Sequence, residues 1–169
     1  IVYSRRLGIS TSMKKNLTIA LGSFSVTLQD MVNAFGVFAN KGKRTEPVYI
    51  LKVTDQDGIV LESSVPQESQ IISNETAFLI SNVLQDVVRR GTGWRARALG
   101  RPSAGKTGTT QNYAAAVIAG YTPQRTTAVW VGFPEAQIPM IPPTTERKVY
   151  GGTYPAMIWK DIMEVAHQG

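Results

Sequence analysis

The stretch 103–133 leaves this chain few ways to fold. It reads as three strands: one around Lys106, a second over 114–121, and a third over 126–133 that is rich in Val, Trp and Thr. Thr122-Pro123-Gln124-Arg125 is a tight turn between the last two. Consecutive strands joined by short turns are antiparallel, because a parallel pair needs a long crossover.

Helical patterns bracket this meander. Thr27 begins a T-x-x-D pattern with Asp30, and Leu28, Met31, Val32, Phe35, Phe38 and Ala39 recur at helical spacing. Asn40-Lys41-Gly42 supplies a stop, which predicts a helix over 27–41. Two β-rich runs, 49–53 and 59–61, flank Asp55-Gln56-Asp57-Gly58 and predict a hairpin over 48–62. Ser73 is placed to cap a second helix over 74–90, with Ala77, Ile80, Leu84, Val87 and Val88 as its buried stripe and Gly91 as its end. A last helix over 154–167 has Ile158, Trp159, Ile162, Met163 and Ala166 along one face. The expected class is mixed α/β of the α+β kind: an antiparallel sheet packed with helices. The 169 residues suffice for one domain.

Composition removes several chemistries. There is no Cys and one His, so thiolate zinc sites and catalytic Cys are excluded, and no metal or cofactor is expected. His167 reads as an exposed residue of a fraying terminal helix. The net charge of +6 is dispersed, without a block of five or six basic residues, so no nucleic-acid partner is expected. No run of about 18 apolar residues is present to span a membrane. The absence of an initiator Met suits a segment of a longer protein.

Lys106-Thr107-Gly108-Thr109 admits two chemistries. Gly100-Arg101-Pro102-Ser103-Ala104-Gly105-Lys106-Thr107 fits the phosphate-loop pattern G-x-x-x-x-G-K-[ST], which would make a nucleotide-binding protein. That loop needs a buried strand before it and a helix after it. Here 94–99 alternates with charge, Pro102 removes a backbone N–H from the loop, and 108–113 carries no helical stripe. Alternatively, Lys106-Thr107-Gly108 is the K-T-G triad of penicillin-binding proteins and serine β-lactamases. That reading needs a strand. Lys106 would then face a cleft and orient proton transfer or attract a carboxylate. Thr107 and Thr109, two apart, would share one face. Gly108 would let substrate approach, and a backbone N–H near Thr109 could donate to an oxyanion.

The surrounding residues resemble bifunctional (class A) penicillin-binding proteins from about Leu17 to Met163, in order and spacing. The segments that carry the resemblance are Ala20-Leu21-Gly22-Ser23, Val26-Thr27-Leu28, Phe38-Ala39-Asn40-Lys41-Gly42 and Gly91-Thr92-Gly93. They continue with 103–110, Gly120-Tyr121-Thr122-Pro123, Val129-Trp130-Val131-Gly132 and Gly151-Gly152-Thr153 with Pro155, Ile158 and Trp159. The resemblance implies the C-terminal part of a β-lactamase-like transpeptidase fold, an incomplete domain. It implies a serine D-Ala-D-Ala transpeptidase that cross-links peptidoglycan stem peptides and is acylated by β-lactams. The third motif carries over onto Lys106, Thr107 and Gly108, with carboxylate and oxyanion positions at Thr107 and Thr109.

The family's other motifs are S-x-x-K, with the nucleophile, and S-x-N. Ser12-Met13-Lys14-Lys15 matches the first in letters but sits directly before the helix that should lie far downstream of it, and reads as a polar turn. No S-x-N occurs. The chain is therefore expected to lack a nucleophile and to be inactive alone. Its expected partners are stem peptides, β-lactams and the upstream half of the same domain. It is expected to lie outside the cytoplasmic membrane, held there through the parent protein's anchor. At 114–118, Ala-Ala-Ala-Val-Ile replaces the family's common polar-aromatic run. A non-catalytic module keeping the fold is the expectation from another class, and nucleotide binding the remotest.

Overall fold

The computed structural model describes residues 1–168. Its elements run in the order α1 (Val2–Arg6), α2 (Leu28–Ala39), β1 (Lys43–Thr45), β2 (Lys52–Thr54), β3 (Val60–Ser63), β4 (Glu68–Gln70), α3 (Asn74–Arg89), β5 (Ala104–Thr109), β6 (Ala115–Tyr121), β7 (Thr126–Gly132) and α4 (Tyr154–Ala166). Short 3-10 turns cover Leu17–Leu21, Trp94–Leu99 and Gln111–Tyr113.

The central sheet is antiparallel, in the order β5-β6-β7. Its register pairs Lys106 with Ala119, Thr107 with Ile118 and Gly108 with Val117, and Val117 in turn with Trp130. Directly paired residues share a face. One face carries Ile118 and Val129, which join Trp159 and Met163 of α4 in the main core cluster. On the other face Tyr121 packs edge-on against Phe35 of α2, with ring centres 6.4 Å apart. The Tyr121 hydroxyl also lies 2.7 Å from Ser81 Oγ of α3. The sheet is thus a middle layer, with α4 on one face and α2 on the other, while α3 runs along β5 and sends Val88 into the α4-side core.

Local chemistry explains the helix starts. Thr27 Oγ1 accepts from the Asp30 N–H while the Asp30 carboxylate accepts from the Thr27 N–H, so α2 opens with a complete capping box. Ser73 Oγ accepts from the Thr76 N–H at the start of α3. Trp159 is 1% exposed, and its indole N–H donates to Thr127 O at 3.1 Å, which satisfies the one polar group that its burial would orphan.

Several expectations need correction. The hairpin predicted over 48–62 is narrower and shifted, pairing Lys52 with Ser63 and Thr54 with Val60. Outside it lies an unpredicted pair, β1 with β4, built from three-residue polar strands. The α4 face is also rotated from the expected one. Pro155, Ala156, Trp159 and Met163 are buried, whereas Ile158 and Ile162 are exposed. The reason is spacing: 156, 159 and 163 fall on one stripe around Trp159, and 158 and 162 fall on its flank. His167 is half-buried and hydrogen-bonded to Thr122 Oγ1 at 3.0 Å, so it is not the free terminal residue expected. Loss of solvent, with Arg101 and Arg125 nearby, lowers its pKa below the usual histidine range.

Candidate active site

Lys106 lies in the middle of β5, which excludes the phosphate-loop geometry. The chain after Thr107 continues as strand and then turns into β6, so no helix N-terminus stands behind the motif. β5 is an edge strand of the sheet, bonded to β6 alone among the described residues. Its outer backbone groups therefore face away from the ladder.

Lys106 is exposed, and its ammonium donates to Thr107 O at 2.7 Å. Thr107 and Thr109 share a face, as the strand period requires. Thr107 is buried, at 9% exposure, and its hydroxyl lies 2.5 Å from Thr92 Oγ1. Thr109 is exposed, and its Oγ1 accepts from the Gly151 N–H at 3.1 Å. Gly108 is also constrained by the neighbouring strand. A Cβ there would stand 2.7 Å from Val117 Cγ1 on the adjacent strand, so the missing side chain makes room for β6.

Two residues contacting the motif, Thr92 and Gly151, are ones to which the sequence assigned no function. Gly151 belongs to the loop 134–153, which is anchored by Met140 and Val149 in a small core with Ala116. A Cβ on Gly151 would meet Val117 O at 2.4 Å and Gly108 O at 2.7 Å, so only glycine lets the loop close on β5. A Cβ on Gly152 would meet Thr92 O at 2.1 Å. The guanidinium of Arg95 donates to Gly152 O at 2.9 Å and stacks 4.5 Å from the Trp94 ring centre. Thr92 and Gly151 carry no local sequence signal for this, because they meet β5 from 15 and 42 residues away.

Ser12-Met13-Lys14-Lys15 forms no helix, so Lys15 is not set one turn behind Ser12. The segment before it is held instead by Asp30. This 2% exposed carboxylate accepts from the Ser10 N–H at 2.7 Å and Ser10 Oγ at 2.9 Å, and from Thr11 through both its N–H and its hydroxyl. Burial pushes the Asp30 pKa up, but these donors together outweigh it and hold the group far below the usual carboxylate range. The described residues hold no cluster of His, Asp and Glu suited to a metal ion. No helix among them is long and apolar enough to cross a membrane.

The profile of the penicillin binding protein transpeptidase domain matches residues 6–164. Penicillin-binding protein 1A of Neisseria meningitidis is 37% identical over 174 residues, which cover 99% of this chain and 21% of that protein. Penicillin-binding protein 1A of Aquifex aeolicus is 33% identical over 161 residues, covering 95% of this chain and 21% of that one. The chain thus spans about a fifth of the length of these curated relatives. Among solved structures, PonA1 of Mycobacterium tuberculosis in complex with penicillin V superposes with a TM-score of 0.86 at 29% identity, over 98% of this chain and 48% of that one. Penicillin-binding protein 1A of Haemophilus influenzae gives 0.84 at 26% identity, over 97% and 30%.

Proposed function

The chain belongs to the penicillin-binding protein transpeptidase family, and on that premise we propose that it is the part of a serine D-Ala-D-Ala transpeptidase that supplies the K-T-G wall of the active site. The observation that carries this is the placement of Lys106-Thr107-Gly108-Thr109 on an edge strand, with the Lys106 and Thr109 side chains exposed. An extended stem peptide can pair with the outer edge of such a strand as an added strand.

In this reading the parent protein's serine attacks the carbonyl of the penultimate D-Ala. The terminal D-Ala leaves, and the amine of a neighbouring stem resolves the acyl-enzyme to form the cross-link. A β-lactam acylates the same serine and stays. Lys106 places a positive charge beside the reacting groups, where it attracts the substrate carboxylate and orients proton transfer. Thr107 and Thr109 are assigned to the carboxylate through their hydroxyls, and the Thr109 N–H to the oxyanion. The serine and its base belong to the rest of the domain, which also completes the sheet and covers its exposed apolar surface. The site works outside the cytoplasmic membrane, where peptidoglycan is.

The test has two arms. Fluorescent penicillin is expected to leave the isolated chain unlabelled, and a label mapped to Ser12 would overturn the assignment of the nucleophile elsewhere. In the full-length protein, Lys106→Ala is expected to slow acylation about a hundredfold or more, as for loss of a charged group acting on the transition state. An unchanged rate would refute the role of Lys106.

A further inference from the structure

A groove beside the K-T-G wall is lined by none of the motif's own residues. One side is the 3-10 turn Trp94–Leu99 and the other is α4. With three residues per turn, positions 94 and 97 fall on one side of that turn, so Trp94 and Arg97 both line the groove. Ala96, fully buried in the main core cluster, fixes the turn in place. Across the groove, Met157, Lys160 and Asp161 form one flank of α4, as positions i, i+3 and i+4 do. The space between the walls is about 500 Å³, a size that suits a small-molecule or oligomer unit. Trp94 and Met157 bring apolar surface to it, at 50% and 47% exposure. The Arg95 guanidinium stacks 4.5 Å from the Trp94 ring centre, which holds the indole in place before anything binds. Lys160 is neutralised by Asp161 at 2.6 Å and Glu164 at 2.9 Å. Arg97 has no carboxylate partner among the described residues and gives one N–H to Arg89 O at 3.1 Å, so it keeps donors and its charge for an anion.

We propose that this groove binds the sugar backbone of a peptidoglycan strand, with Trp94 against a sugar ring and Arg97 on a stem-peptide carboxylate. This rests on the reading of the chain as part of a peptidoglycan transpeptidase, and adds a second contact for the same substrate. A sugar ring has apolar C–H faces and hydroxyl edges, so it suits an aromatic surface with polar groups around it. The groove offers both: Trp94 and Met157 supply the apolar surface, and Arg97, Lys160 and Asp161 the polar rim. Its position favours the same occupant. Arg95 donates to Gly152 O at 2.9 Å, an added Cβ on Gly152 would stand 2.1 Å from Thr92 O, and Thr92 Oγ1 lies 2.5 Å from Thr107 Oγ1. A short chain of contacts therefore joins the groove to β5. A stem peptide seated on β5 brings its own glycan strand with it, and that tether raises the effective concentration of sugar at the groove. A strand held in the groove returns the benefit by keeping its stem peptides close to the wall.

The experiment uses the full-length protein acylated by penicillin, so that the K-T-G wall is blocked. The probe is a soluble, uncross-linked glycan strand that bears stem peptides and carries a photoreactive group on its sugars. Mass spectrometry maps the labelled residues. We expect label within 94–98 and 157–161, the two walls of the groove. Trp94→Ala should lower its yield about tenfold, as for loss of an aromatic anchor, and Trp94→Phe should restore most of it. Arg97→Gln should lower the yield about threefold or more for strands with stem peptides, and leave strands stripped of them unchanged. No label in either segment, or equal yields from wild type and Trp94→Ala, overturns the proposal. Equal labelling by a photoreactive stem peptide without sugars also overturns it, because the groove would then not read the glycan. If penicillin no longer acylates Trp94→Ala, that variant is misfolded and Arg97→Gln decides: a wild-type yield overturns the proposal. The transpeptidase reading has a separate readout. It falls if penicillin fails to acylate the wild type, whereas an acylated protein without label in the groove loses only the groove.

Discussion

Asp30 does two jobs with one carboxylate. It closes the capping box of α2 and holds residues 10 and 11 through four hydrogen bonds. The first job was legible, because T-x-x-D is a local pattern. The second was not, because Ser10 and Thr11 lie 20 and 19 residues away. Asp30→Ala is expected to destabilise the folded protein by about 2–4 kcal/mol, since it removes several bonds to a charged acceptor at once. Urea unfolding of the full-length protein measures this. The pH dependence follows from the lowered pKa of Asp30. Its stabilisation is complete above the ordinary carboxylate range and is lost as pH falls through and below it, because the unfolded chain then binds a proton the folded one refuses. The wild type should lose stability on acidification more steeply than Asp30→Asn. Equal slopes would remove Asp30 from the account.

At the level of elements, the meander was the most readable part. Its strands were predicted around Lys106, over 114–121 and over 126–133, and they lie at Ala104–Thr109, Ala115–Tyr121 and Thr126–Gly132. Short turns between β-rich runs leave one pairing, so local sequence sufficed. The pair β1 and β4 was hidden because its residues, Lys43–Thr45 and Glu68–Gln70, are polar and carry no apolar alternation. The loop 134–153 brings Gly151 onto β5. Gly151→Ala is expected to push that loop off the strand, because the new Cβ would sit 2.4 Å from Val117 O. The Thr109 hydroxyl would then lose its N–H donor, and penicillin acylation of the full-length protein should fall at least about tenfold. Stopped-flow acylation checks this, and a rate within about twofold of wild type would show that the loop contact does not matter.

On the scale of the whole molecule, the notable feature is apolar surface without cover. Phe78, Leu79 and Val83 on α3 are 69%, 62% and 67% exposed, and Trp130 on the edge strand β7 is 42% exposed. Apolar side chains exposed close together on one helix, as Phe78, Leu79 and Val83 are, mark a surface that packs against something. The chain spans 48% of the PonA1 chain that it superposes on, and we take the remainder of the transpeptidase domain as the cover. Expressed alone, the chain should associate with itself or unfold at low temperature, and co-expression with the remainder should yield a soluble, penicillin-labelled complex. Sedimentation velocity and labelling gels measure both. A stable monomer from the chain alone would contradict the expectation.

By itself the sequence determined the antiparallel α+β class, the capped helices and the family, because each rests on periodicity, turn chemistry or residue order within a short window. It also placed Thr107 and Thr109 on one face, which follows from the strand period alone. Only the tertiary structure decided that Thr107 is buried beneath Thr92, that Gly151 holds the Thr109 hydroxyl, and that Gly108 makes room for Val117. These are contacts between segments far apart in the chain. They are fixed by how the layers close on the sheet, and no local pattern of residues encodes that closure.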